Sequence, residues 1–173
     1  MSSRQFLQSA ADARNSTREL LQFMFASELL APSRCLWIVS PWLRDIPVLD
    51  NRTGAFAAIG AELPRSDVRL SRVLLSLIER GTRVVIAPRP EEGNRQVRDA
   101  LLEGAREEGM VRFHEDRELH AKGIVGDHFA LLGSMNFTYN GIEYLTEMLL
   151  FQTERARVEE TRIQFAQQYG GLE

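Results

Sequence analysis

The sequence predicts an α/β fold, a mixed β-sheet with helices on both faces. Three observations carry the α/β reading. Two short apolar runs, Cys35–Ser40 (CLWIVS) and Thr82–Ala87 (TRVVIA), have the length and β-branched content of buried strands. Helical stripes alternate with them through the first two thirds of the chain. A hairpin-like pair of apolar runs follows, which turns a parallel pattern into a mixed sheet. With 173 residues, 44% apolar and 26% charged, the chain suits a single domain over 1–173 that buries a core without disulfides.

In order along the chain, Ser16-x-x-Glu19 forms a capping box, and Leu20, Leu21, Met24, Phe25 and Leu29 continue a helix that Pro32 must stop. The strand Cys35–Ser40 ends at Pro41-Trp42, where the chain turns out of the sheet. Residues 43–66 scatter Pro, Gly, Asp and Asn and read as a long loop holding at most a short helix. Leu70, Val73, Leu74, Leu77 and Ile78 give an i, i+3, i+4, i+7, i+8 stripe with Gly81 as its stop. The strand Thr82–Ala87 closes at Pro88-Arg89-Pro90. Residues 91–108 read as a charged helix using Val97, Leu101 and Ala105, and Val111–His114 as a short strand. After the hairpin come a strand over Thr146–Gln152 and a polar helix over Glu154–Tyr169.

Composition excludes little but narrows the setting. The formal net charge of −3 does not mark a nucleic-acid binder, nor does it forbid a local basic groove. The single cysteine, Cys35, lies in an apolar run and reads as a small buried hydrophobe. No apolar run has signal-peptide or membrane-spanning length, so a cytoplasmic protein without stable membrane association is expected. Of the 21 basic residues, Lys122 is the only lysine. Arginine is a planar fork and lysine a compact point charge, so a site needing a point charge at close range resists exchange between them.

That lysine falls in Leu119–Asn136, LHAKGIVGDHFALLGSMN. On a strand, alternate residues share a face, so His120 and Lys122 project together, and Ser134 and Asn136 repeat the spacing at the end of the next apolar run. A nucleophile candidate, a fixed positive charge and two neutral hydrogen-bonding groups make a site for a phosphate. For Ser134 and Asn136 a turn or helix cap is the rival role; for Glu147 it is a solvated strand position, with Glu143 as a competing carboxylate.

His120-x-Lys122-x4-Asp127, followed by Gly133-Ser134-x-Asn136, resembles the HKD signature of the phospholipase D superfamily, and Glu147, eleven residues after Asn136, matches an acidic position of its bacterial endonuclease members. The order of elements from Cys35 onward is also similar to that fold. Two departures stand out. Five residues, His128 to Leu132, separate Asp127 from Gly133, one fewer than is usual in the family, and Leu145 stands where an asparagine is often found. A tighter turn at Gly126-Asp127 would absorb the deletion, whereas a deletion within the strand would turn side chains to the wrong face. The segment Ser40–Arg52 (SPWLRDIPVLDNR) further resembles a PLD-like protein of bacterial 7-deazaguanine DNA-modification clusters, which implies partner proteins of such a system.

The resemblance implies a catalytic set of His120, Lys122, Glu147 and Asp127. His120 attacks phosphorus and forms a phosphohistidine. Lys122, Asn136 and Ser134 bind the phosphate oxygens, and Glu147 fixes the tautomer of His120. Asp127, at the turn, acts as a supporting hydrogen-bond partner. No metal or other cofactor is implied. A second histidine must serve as general acid, and neither His114 nor His128 begins an H-x-K; a homodimer bringing two His120 residues to one phosphate is the expected solution. Trp42 could contact substrate by stacking on a base, or be buried in the core or a dimer interface. The function expected is a metal-independent phosphodiesterase acting on nucleic acid, DNA in particular. The alternatives are a phospholipase or phosphatidyl transferase, and a weakly active binding module in a DNA-modification system.

Overall fold

Every residue of Cys35–Val39 is buried, and the fold is arranged around that strand. The computed structural model describes residues 3–7, 13–60, 62–144 and 147–171, with side chains from residue 16 onward. The elements run β1 (Ser3–Leu7), α1 (Ala13–Leu30), β2 (Cys35–Val39), β3 (Pro47–Asp50), β4 (Asp67–Arg69), α2 (Leu70–Glu79), β5 (Arg83–Ala87), α3 (Arg95–Gly104) and β6 (Val111–Phe113). They continue with β7 (Gly123–Val125), β8 (Ala130–Gly133), α4 (Tyr139–Glu143), β9 (Met148–Gln152) and α5 (Arg155–Tyr169). Seven strands form a mixed sheet in the order β1-β9-β8-β7-β2-β5-β6, and β3 pairs with β4 as a separate ribbon. β2, β5 and β6 are parallel; β7, β8, β9 and β1 extend the sheet antiparallel from the other side of β2.

The period-two geometry of a strand explains why CLWIV is apolar throughout. Leu36 and Ile38 face a core shared with α1, α2 and α3, through Leu21, Phe25, Val73, Leu77, Val97 and Leu101. Cys35, Trp37 and Val39 face the other way, against Tyr169, Phe165 and Ala166 of α5. β5 divides likewise, with Val84 and Ile86 on the first side and Val85 and Ala87 on the second. A strand covered on both faces has no solvent side on which to carry polar residues.

The structure departs from the sequence reading in six places. β1 was not anticipated; it pairs with β9 from Ser3 opposite Gln152 to Leu7 opposite Met148. α1 begins at Ala13, so Ser16 lies within the helix rather than at its cap. Residues 43–66 are not one long loop: β3 lies within them and meets β4 across the turn that follows. Asn51, fully buried, ties that turn down by accepting from Phe56 N at 2.9 Å and donating to Pro64 O at 2.9 Å. α3 is shorter than 91–108, because Glu92–Asn94 forms a separate 3-10 turn and Ala105 is extended. α4 was also missed; Thr138 caps it, accepting from Gly141 N at 3.2 Å. Finally, His120 and Lys122 precede β7 instead of lying within it, although Gly133 N donates to Lys122 O at 3.3 Å and carries the ladder past the strand end. In the expected strand Thr146–Gln152, Met148–Gln152 is strand, and Thr146 lies outside the described residues, as does Leu145.

Candidate active site

Topology gathers the motif at one end of the central strands. β7 runs antiparallel to β2, with Gly123 opposite Val39, so the residues just before β7 stand where β2 ends. β8 leaves the sheet at that end and β9 enters it there, with Gly133 opposite Leu149. His120, Lys122, Ser134 and Glu147 therefore converge although 27 positions separate the first from the last. They meet around an open cleft of about 480 Å³, whose polar side is formed by His120, Lys122 and Ser134 and whose apolar wall is Leu132, Met148 and Leu150.

Lys122 Nζ donates to the carbonyl of His120 at 2.6 Å and stands 3.1 Å from His120 Nδ1. An ammonium can only donate, so Nδ1 is the acceptor and a neutral ring then carries its proton on Nε2. Burial, foremost, lowers the pKa of Lys122 from the ordinary lysine value; the charge of Arg89 adds to this and that of Glu147 opposes it.

Glu147 is only 6% exposed. It accepts from Ser134 Oγ, which in turn accepts from Met148 N at 3.0 Å, while Ser134 N donates to Met148 O at 3.1 Å. This clasp locks the end of β8 onto the start of β9. It requires glycine before the serine, because a Cβ on Gly133 would stand 2.0 Å from Met148 O. The contact of Glu147 is thus with Ser134, and its charge reaches Lys122; no hydrogen bond to His120 is among the described contacts. Glu143, the competing carboxylate, is paired with Arg18.

Asn136 and Asp127 stand apart from the cleft. Asn136 Oδ1 is buried without a hydrogen-bond partner among the described residues, and the carbonyl of Asn136 accepts from Thr138 N at 2.8 Å where the chain enters α4. Asp127 lies at the other end of the hairpin, at the turn beyond β7, whereas His120 precedes that strand. There it pairs with Arg162 at 2.7 Å and Arg34 at 3.1 Å, and its backbone N–H donates to Ser33 Oγ at 2.7 Å. His128 lines a cavity at that same far end, and His114 packs edge-on against Tyr169 at 5.6 Å.

The hairpin itself is regular. Gly126 N donates to Phe129 O at 3.0 Å across the turn, and β7 and β8 pair from Gly123–Leu132 to Val125–Ala130 without a bulge. Ser134, at the end of this hairpin, lies beside His120 and Lys122 in the cleft lining.

Two side chains flank the cleft from the parallel half of the sheet. Trp42 is 38% exposed, and the guanidinium of Arg89 lies 5.1 Å from its ring centroid. Arg89 Nε also donates to Leu119 O at 2.8 Å, one residue before His120. Sequence reading named Trp42 and passed over Arg89. The available signal was its place after a parallel strand, where open α/β sheets bind their ligands.

A family model described as "Cardiolipin synthase, PLD-like domain" matches residues 56–169, more than half of the chain. Among solved structures, the fold is similar to NucT from Helicobacter pylori, with 14% identity, a TM-score of 0.58, and coverage of 96% of this chain and 95% of that one. It is similar also to Nuc from Salmonella typhimurium, titled a phospholipase D family member, with 12% identity, a TM-score of 0.59 and coverage of 96% and 92%. TrmBL2, titled an archaeal chromatin protein with a novel mode of DNA binding, shares 10% identity and a TM-score of 0.53, the match covering 96% of this chain and 51% of that one. No curated protein matches the sequence. Among the described residues, no helix is long and apolar enough to cross a membrane.

Proposed function

The chain belongs to the phospholipase D-like family, and on that premise we propose that it is a metal-independent phosphodiesterase acting on nucleic acid, DNA in particular. The observation that carries the reading is the pairing of His120 and Lys122, 3.1 Å apart at the polar side of an open cleft. The likeness to TrmBL2, titled for its DNA binding, favours nucleic acid as the substrate class.

The chemistry follows from what each group can give. His120 Nε2 attacks phosphorus, an N–P bond forms, the bond to the leaving oxygen breaks, and a general acid protonates that oxygen. Water, giving its proton to that same group now acting as base, then attacks phosphorus and the N–P bond breaks. Attack through Nε2 needs its lone pair, so the ring proton must sit on Nδ1, the atom that Lys122 occupies in the free site. An arriving phosphate draws the ammonium to its own oxygens, the ring proton passes from Nε2 through solvent to Nδ1, and Nδ1–H donates a hydrogen bond to Glu147. Lys122, with Ser134, then holds the negative oxygens as charge builds in the transition state. Asp127 keeps the hairpin in place from its far end.

The general acid comes from a second copy of the chain. His114 and His128 are engaged elsewhere, and the apolar wall of Leu132, Met148 and Leu150 suits coverage by a second molecule. The two His120 rings hold opposite protonation states, which gives a bell-shaped pH–rate profile. The expected result is hydrolysis of bis-p-nitrophenyl phosphate in excess EDTA, abolished by His120→Ala. Hydrolysis that requires added metal, or that survives the substitution, contradicts the mechanism.

A second reading is a weakly active DNA-binding module, of the kind the likeness of Ser40–Arg52 to a DNA-modification protein suggests, working with partner proteins. Lys122 on Nδ1 and Glu147 tied to Ser134 favour it, since both must let go before His120 can attack. Binding of DNA by wild-type protein with no turnover of any phosphodiester would select this reading.

A further inference from the structure

The loops that leave β2 and β5 are fixed to one another where they pass the cleft. Val39 and Ala87 are register partners, so Pro41-Trp42 and Pro88-Arg89 leave the sheet side by side. Asn94, 6% exposed, joins them: its amide nitrogen donates to Pro41 O at 2.9 Å and to Arg89 O at 2.8 Å, and its Oδ1 accepts from Leu43 N at 2.7 Å. Arg89 N donates to Pro41 O at 3.2 Å as well. Three prolines in the two loops, Pro41, Pro88 and Pro90, restrict them further. A rigid mount of this kind is what a recognition surface needs, and more than solubility requires.

The mount presents an aromatic ring and a cation. Arg89 covers part of the Trp42 indole, which keeps 38% of its surface open. Of the guanidinium nitrogens of Arg89, only Nε has a hydrogen-bond partner among the described residues, Leu119 O, which leaves both terminal nitrogens available to an anion. That bond to the residue before His120 sets the guanidinium next to the catalytic backbone. Its charge is felt at Lys122, so the two cations share one field. Two positive groups exceed the need of one phosphodiester, which carries one negative charge; they match two consecutive phosphates of a strand.

We propose that Trp42 and Arg89 form a nucleobase-phosphate subsite beside the scissile position, with a base stacked on the indole and the next phosphate on the guanidinium. This rests on the phosphodiesterase reading and deepens it: the substrate is a polynucleotide with unstacked bases, single-stranded or locally opened. A duplex keeps its bases stacked on each other and cannot offer one to Trp42. Base–aromatic stacking tolerates any base, so the subsite selects for strand state over sequence.

The test compares oligothymidine with bis-p-nitrophenyl phosphate, which has no base and no second phosphate. Trp42→Ala should lower the ratio of the two kcat/KM values about tenfold, the loss expected for one stacked base, and Trp42→Phe should recover most of it. Arg89→Gln should reduce the slope of log affinity against log salt for oligothymidine by about 0.7, one phosphate contact on a single strand. An unchanged ratio in Trp42→Ala overturns the subsite, as does an equal loss on both substrates or a change in oligomeric state, which would make Trp42 an interface residue. Binding to the His120→Ala protein separates the two claims. Oligothymidine should quench tryptophan fluorescence there, and adding Trp42→Ala should remove the quench, because the other tryptophan, Trp37, is fully buried. Quenching without any hydrolysis by wild type keeps the subsite and rejects the enzyme; quenching by phosphatidylglycerol vesicles and not by oligothymidine rejects the subsite in favour of a lipid.

Discussion

Lys122 shows how much one residue can carry. It is the only lysine in the chain, it contacts His120 twice, and burial lowers its pKa. The sign of the pH effect follows. The charged form holds phosphate, and with its pKa lowered that form is lost as pH rises, before the ordinary lysine value of 10.5 is reached. Competitive inhibition by inorganic phosphate should therefore weaken on the alkaline side below that pH, and in Lys122→Arg, whose charge is fixed, it should not. Removing the charge in Lys122→Gln should lower kcat about 10²–10³-fold, the scale for one transition-state donor; Lys122→Arg should restore only part of it, because the fork cannot take the place of a point charge beside the imidazole. An alkaline limb identical in wild type and Lys122→Arg would assign it to another group. At this scale the sequence was informative: spacing and residue type singled out His120, Lys122 and Ser134, the family resemblance added Glu147, and the structure brings the four together. Arg89 was legible only as a residue just after a parallel strand, because its meaning comes from Trp42 and Leu119, 47 residues before it and 30 after.

At the scale of elements, local pattern served where an element's own residues decide its state. α2, β2 and β5 carry their burial in their periodicity, and all three lie where the stripe and the apolar runs indicate. β1 and the β3–β4 ribbon do not, since a strand that finds its partner far along the chain is specified by the partner's edge more than by its own sequence. α3 was overread because the charged residues flanking it suit a helix and a solvated turn equally. The hairpin β7–β8 illustrates a tertiary clamp. Its tip is held by Asp127 against Arg162, whose side chain is 4% exposed. Asp127→Ala leaves that guanidinium with only the solvent-exposed Glu159 as carboxylate partner, and should cost about 2 kcal/mol or more in denaturant unfolding. An unchanged midpoint would show that Asp127 does not clamp the tip.

At the scale of the whole molecule, the candidate site lies at the end of the sheet where β2 and β8 stop and β7 and β9 begin. One copy supplies one His120, and phosphoryl transfer through histidine needs a second proton carrier. The chain should therefore sediment as a dimer, and substitutions at Leu132, Met148 or Leu150 to aspartate should shift it to monomer with parallel loss of hydrolysis. A fully active monomer would contradict the shared site. That requirement was readable from the sequence as an arithmetic deficit of histidines, whereas the apolar wall that could answer it emerges only when β8 and β9 come together. The central claim is that His120 is the nucleophile. Bis-p-nitrophenyl phosphate should be mixed with the protein in EDTA, quenched in alkali within the first turnover, and the peptide containing His120 analysed by mass. The account predicts a nitrophenylphosphoryl group on His120, formed and lost at rates consistent with turnover; steady hydrolysis with no adduct on that residue at any quench time would contradict it.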